Sequence, residues 1–310
     1  MKPLHIAFSR QQSLYQLQAE RQIQERRLEL ARLQEQLATG RRVNRPSDDP
    51  AAYSQSRAIQ LLTQRYEQHA RTLTTSKAWL TATENALNTL TELFNSAYEE
   101  GLRMATDSAA ADDRATTAAL LEQRLETVLD QLNARHNGAY LFAGTRTNAA
   151  PFQRSGTVIV YTGNNQQRLQ EIAPGLTVAT SLTGNQLWEV DENSDGTPDF
   201  TLTEAWQDLI DALRADDTAQ IRTAMARLEK ARDHLIARTA EVGEMSRRIQ
   251  LAETQMQDLQ LQLETQRSDL EDADVAQLAT QMQRHQLGLE AALQVTSRVL
   301  QTSLLNYLQW

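Results

Sequence analysis

Apolar or small residues recur in alternating steps of three and four over two long stretches of this chain, as in a helix that lays one face along another helix. The first stretch runs Ile59, Leu62, Tyr66, His69, Leu73, Ser76, Leu80, Thr83, Leu87, Leu90, Phe94. The second keeps one register through Ile221, Ala224, Leu228, Ala231, Leu235, Arg238, Val242, Met245, Ile249, Ala252, Met256, Leu259, Leu263, Gln266 and Leu270. At about 1.5 Å of rise per residue these stripes describe rods on the order of 50 and 75 Å. Each needs a partner of comparable length, so the pattern predicts that the two pair with each other. His69, Ser76 and Thr83 read as polar seam positions that set register. A shorter stripe, Ala118, Leu121, Leu125, Val128, Leu132, follows an acidic turn at Asp112 and Asp113.

Between Gly144 and Thr203 the helical period is lost. Gly and Pro punctuation and β-branched runs, Thr157 to Thr162 and Leu176 to Thr180, predict a small β domain inserted between helical flanks. The fold class is therefore mainly α: a long antiparallel helical rod with coiled-coil seams and an inserted small β domain. Five parts follow: an N-terminal assembly helix (1–40), the first part of the rod (41–143), the β-rich insertion (144–203), the second part of the rod (204–271) and a C-terminal assembly helix (272–310).

The two ends form a third pattern. Ile23, Leu30, Leu33 and Leu37 make an imperfect stripe, as do Leu289, Leu293, Leu300, Leu304 and Tyr307. Residues 1–60 carry a net charge of +4 and residues 261–310 one of -3. The ends are expected to pair antiparallel, and two helices with such interrupted seams are marginal alone. They are expected to order fully in an assembly, which makes these nine residues the candidate subunit interface. Between the first end and the rod lies Thr39 to Pro50, where Gly40 ends one helix, Pro46 and Pro50 forbid its continuation, and Ser47, Asp48 or Asp49 caps the next.

Composition narrows the function. A formal net charge of -9 argues against nucleic acid as a partner. The absence of cysteine removes disulfides and thiolate chemistry. No apolar run approaches the roughly 20 residues that span a bilayer, so no membrane partner is expected, and the first ten residues lack the apolar centre of a secretory signal. No phosphate-binding loop, zinc motif or nucleophile elbow occurs, and the five histidines are scattered singly. The chain reads as no enzyme, with no catalytic residue. One acidic run, Asp191, Asn193, Asp195, Gly196 and Asp199, resembles the first half of a calcium loop, but Leu202 stands where a bidentate glutamate belongs. Its other reading is a polar hairpin loop, so the expected cofactor set is none, with calcium as the one candidate.

The turn Arg42-Val43-Asn44-Arg45-Pro46-Ser47-Asp48-Asp49-Pro50 resembles the conserved turn of bacterial flagellins and their hook-associated relatives. The similarity extends through Leu30 to Gly40 before it and Ala78 to Leu87 after it. Asn133 to Thr147 and Leu293 to Leu308 look like the hook-filament junction subgroup. The resemblance implies a secreted structural subunit of the bacterial flagellum, needed for motility and filament assembly. It implies a ring of identical subunits at the extracellular hook-filament junction, set between a ring of hook-associated protein 1 and the flagellin filament. It also implies type III export with a cytosolic flagellar export chaperone. The alternatives are a flagellin filament subunit and a cytosolic coiled-coil scaffold protein.

Overall fold

The computed structural model describes residues 3–308 apart from 157, 174, 175 and 194, with side chains described for 17–298 apart from those positions, 173 and 176. Helices dominate: α1 (Pro3–Thr39), α2 (Pro50–Met104), α3 (Ala111–Leu132), the short α4 (Gly184–Trp188), α5 (Leu202–Arg214), α6 (Thr218–Glu271) and α7 (Val275–Leu308). The chain divides into two compact units, residues 66–258 and residues 1–65 with 259–310.

In the 66–258 unit, α2 and α6 run antiparallel. Lys77 pairs with Glu253 at 3.2 Å and Thr74 donates to the same carboxylate at 3.0 Å, while Gly101, a long way down α2, lies against Met225. The stripe positions of α2 from Leu73 to Phe94 are all buried, and so are those of α6 from Ile221 to Met256 except half-buried Arg238. Ser76 and Thr83 keep buried places on the seam. Ser76 and Thr83 donate to the carbonyls of Thr72 and Trp79, four residues back on their own helix, and His69 is only half-buried.

Asp112 and Asp113 sit in the first turn of α3, where carboxylates meet the unpaired amides of a helix start, rather than in a turn before it. Helix α5 opens with a reciprocal cap: Glu204 accepts from the Thr201 amide at 2.7 Å, and Thr201 Oγ1 from that of Glu204 at 3.2 Å. Packing of α5 on α3 seals Trp206, 1% exposed, whose indole donates to the Leu121 carbonyl at 3.0 Å and whose ring meets Phe94 edge-on at 5.1 Å. Buried Arg114 holds the loop after α2 through the carbonyls of Met104 (3.1 Å) and Thr106 (2.8 Å), and pairs with Asp216 in the turn after α5.

The β region is a series of antiparallel hairpins: β1 (Arg135–His136) with β2 (Ala139–Tyr140), β3 (Phe152–Ser155) with β4 (Val158–Tyr161), β5 (Leu169–Ala173) with β6 (Leu176–Ala179), and β7 (Glu189–Val190) with β8 (Phe200–Thr201). The first hairpin precedes residue 144. Phe152, Ile159, Leu187, Trp188, Val190 and Phe200 join the same apolar cluster as Leu87 and Leu228, so this region closes over the helices instead of enclosing a core of its own. Gly144, at φ 67°, lies against the backbone and side chain of Asn164, where any Cβ would collide. Asn164 in turn accepts from the Thr145 amide at 2.7 Å and donates to its hydroxyl at 2.6 Å.

Candidate assembly interface

The unit formed by residues 1–65 and 259–310 holds the turn motif and the paired ends. Helices α1 and α7 pack antiparallel: the Gly40 carbonyl accepts from the Ala273 amide at 3.0 Å, and far along the pair Arg26 lies against Gly288. Two chain breaks meet here, Gly40 to Asp49 and Asp272 to Asp274. Gly40, at φ 69°, turns the chain out of α1. Arg41 and Asp272 then form an antiparallel bridge, and the amides of Arg42 and Val43 both donate to the Glu271 carbonyl, at 2.6 and 3.3 Å.

The charged residues of the motif have separable tasks. Asp48 folds back so that one carboxylate oxygen accepts the amides of Asn44 (3.0 Å) and Arg45 (2.9 Å), and it pairs with Arg32 of α1 at 3.4 Å. Asp49 is the residue that caps α2, accepting the Ala52 amide at 3.0 Å ahead of Pro50 in the first helical position. Its other oxygen meets Arg42 at 3.2 Å, and Arg42 also donates to the Leu270 carbonyl at 2.9 Å. Arg45 pairs with Glu35 of α1 at 3.0 Å. Glu271 is approached by Arg41 at 3.4 Å and accepts the Ser56 hydroxyl. Backbone amides, Arg45 first, then the charges of Arg32 and Arg45, hold the Asp48 carboxyl below the usual carboxylate range. The Ala52 amide, then Arg42, does the same to Asp49. Pro46 and Ser47 are exposed at the bend. Of the ion pairs described at this turn, Arg41 with Glu271 joins the two chain ends, and the others lie within residues 32–49.

Of the predicted interface residues, Leu33 is buried, Ile23, Leu30, Leu37 and Leu289 are half-buried, and Leu293 is exposed. The side chains of Leu300, Leu304 and Tyr307 lie outside the described residues. The sequence reading missed Val43, Gln36 and Leu278, all buried here, with Gln36 donating to the Arg42 carbonyl at 2.7 Å. It also missed the apolar side chains that remain uncovered: Leu28 (71%), Leu61 (62%), Leu261 (67%) and Leu287 (66%). The rod stripes are only partly covered in this unit: Ile59 is buried, Leu263 and Leu270 are half-buried, and Leu62, Leu259 and Gln266 are exposed.

In the acidic run of the other unit, Asp191 accepts the amides of Asp195 (3.3 Å) and Gly196 (2.8 Å), and Asp199 that of Glu192 (2.8 Å). Asn193 and Asp195 are exposed, and Asp195 accepts both the amide and the hydroxyl of Thr197, which keep its carboxyl below the usual range. Among the described residues no cluster of three or more His, Asp or Glu side chains is placed to hold a metal ion, and no helix is long and apolar enough to cross a membrane.

Residues 11–147 match the bacterial flagellin N-terminal helical region, and residues 225–308 match the bacterial flagellin C-terminal helical region. The chain belongs to the bacterial flagellin family. Its turn motif and both paired ends fall within the matched segments of this flagellin-family chain. A curated relative, flagellar hook-associated protein 3 of Escherichia coli, is 29% identical over 77% of this chain and 80% of its own length. Flagellar hook-associated protein 3 of Salmonella typhimurium is 33% identical over 57% of this chain and 56% of its own. Among solved structures, the flagellar junction protein FlgL of Legionella pneumophila covers 70% of this chain and 100% of its own, with a TM-score of 0.60 and 16% identity, a likeness of fold. These relatives are structural proteins of the flagellum.

Proposed function

We infer that this flagellin-family chain is a structural subunit of the flagellum that joins the hook-associated ring to the filament. It has no catalytic role, and it stands outside the cell at the hook-filament junction. Its partners are other copies of itself in a ring, hook-associated protein 1 on one side and flagellin on the other, with a cytosolic export chaperone before secretion. The observation that carries the reading is the unit of residues 1–65 and 259–310. There the family turn is locked by charge and backbone bonds while Leu28, Leu61, Leu261 and Leu287 stay open to solvent. Taken with the family turn, these open side chains support a face that another protein covers, although single apolar side chains such as Leu169 and Leu251 are open in the other unit too. Of the nine predicted interface residues, Leu293 is open in the same way, and completing the seams of the two ends against neighbours couples their ordering to assembly.

Deletion of the gene tests this. The expected result is hooks that carry no filament and flagellin released into the medium. Loss of a filament subunit leaves no flagellin to release, and loss of a cytosolic scaffold leaves filaments in place; either result overturns the reading.

A further inference from the structure

In the 66–258 unit an imidazole bridges α6 to the short helix α4. His234 of α6 is half-buried, and its Nε2 lies 3.0 Å from the Gln186 carbonyl of α4. A carbonyl can only accept, so Nε2 carries the proton of the neutral ring and a second proton has to go to Nδ1. Burial first, then the charge of Arg238 one turn along α6, holds this imidazole below its ordinary value, against the pull of the Gln186 and Leu187 carbonyls. A cavity of about 270 Å³ opens here, its wall including His234, Arg238, Asn185, Gln186, Glu189 and Asp191. The carboxylates around it are committed or solvated. Asp191 accepts the amides of Asp195 and Gly196, and Glu189 is exposed. On α6 itself Glu241 pairs with Arg238 at 2.8 Å, Asp233 with Arg232 at 3.1 Å, and Lys230 with Glu192 at 3.0 Å. A cation at His234 therefore meets the Arg238 guanidinium with no carboxylate dedicated to it among these groups.

The element held by this contact is small. Helix α4 is five residues long, closed by the Leu187 amide on the Thr183 carbonyl at 3.1 Å and by the Glu189 amide on that of Asn185. So short a helix opens locally at a lower cost than the whole unit. We propose that His234 is an acid-sensitive latch: neutral, it ties α4 to α6, and protonated, it is pushed from Arg238 and lets α4 open while the α2–α6 seam stays closed. Leu187 and Trp188, 0% and 5% exposed, still resist the opening, so acid raises the open fraction of α4 without emptying the closed state. A base that is neutral when docked and free to protonate when released stabilises the docked state fully above its ordinary value. That contribution is lost as pH falls from there toward the docked value. The latch is independent of the flagellar role.

Hydrogen exchange of the purified full-length chain, corrected for intrinsic rates, tests the latch at the Leu187 and Glu189 amides. Their protection is expected to be constant from pH 8 to about 6.5, and below that the open fraction should rise by up to about tenfold per pH unit. His234→Gln keeps a donor for the Gln186 carbonyl but takes up no proton, so it should flatten the rise. Arg238→Gln removes the facing cation at a half-buried position and should shrink it. His69 and His136 are present in all three chains, so a rise that they cause survives both substitutions. Amides near Leu87 should keep their protection over the same range. No rise in the parent chain overturns the proposal, as does a rise shared equally by the amides near Leu87. An undiminished rise in H234Q overturns it too, or in R238Q should H234Q not fold.

Discussion

The same two helices, α2 and α6, behave differently in the two units of the chain. From Leu73 to Phe94 and from Ile221 to Met256 their stripes, half-buried Arg238 apart, enter a core completed by α3, α5 and the hairpins, whereas in the other unit Ile59 is buried but Leu62 and Leu259 remain 40% and 38% exposed in the same heptad register. The period of a sequence records which face of a helix is meant to be covered. It does not record what covers it. In one unit the cover comes from this chain, and in the other the apolar face outlasts the elements available to hide it.

Substitutions that remove buried contacts in one unit and exposed ones in the other should separate these cases. Trp206→Ala deletes the largest fully buried side chain among the described residues and the bond to the Leu121 carbonyl, and is expected to cost about 3–5 kcal/mol by denaturant unfolding of the purified chain. Leu293→Asp, at a position already 40% exposed, should leave that unfolding midpoint within about 0.5 kcal/mol. In cells the order reverses for assembly, because a charge in a face that becomes buried is costly there alone. L293D that assembles as well as the parent chain would remove Leu293 from the interface.

Much of this contrast was legible in the residues. The registers around Leu73 and Ile221 identified the buried faces, and Gly40, Pro46 and Pro50 marked the turn, because backbone chemistry there is local. The stripe ending at Leu270 marked the second break but not its partner. Asp272 to Asp274 contains no Gly or Pro, and its bridge to Arg41 joins residues far apart in sequence. The start of α5 carried a readable cap, Thr201 with Glu204, that β-branched neighbours disguised. That Trp206 would seal the core against Leu121 and Phe94 depended on the packing of α5 on α3, which no local pattern contains. Leu28 and Leu287 lie off the predicted stripes, and no described part of the chain covers them.

The turn offers a smaller effect that sharpens the comparison. Asp48 titrates below its unfolded value because it accepts the Arg45 and Asn44 amides and faces Arg32 and Arg45. A carboxyl whose folded pKa is depressed contributes stability that is present above its unfolded pKa and is lost as pH falls through the folded one. Hydrogen exchange at Asn44 and Arg45, corrected for intrinsic rates, should therefore lose protection on acidification below the ordinary aspartate range. Asp48→Ala should reproduce the loss at neutral pH, by about 1 kcal/mol of local opening free energy, and abolish its pH dependence. Amides in the α2–α6 seam near Leu87 should be unchanged by D48A. Protection that persists in D48A would mean that the Arg41–Asp272 bridge holds the turn without the carboxylate.

The smallest expected effect concerns the acidic loop, where the comparison is between carboxylates already used and carboxylates left open. Calcium needs six to eight oxygens converging on one point. Here Asp191 is turned to the amides of Asp195 and Gly196, Asp199 to that of Glu192, and Asp195 to Thr197, so the acids close the loop on its own backbone. Calorimetric titration of the purified chain with millimolar calcium should give no heat beyond dilution, and the melting temperature should stay fixed. Heat at one ion per chain, abolished by Asp191→Asn, would show that the loop exchanges these amide bonds for a metal.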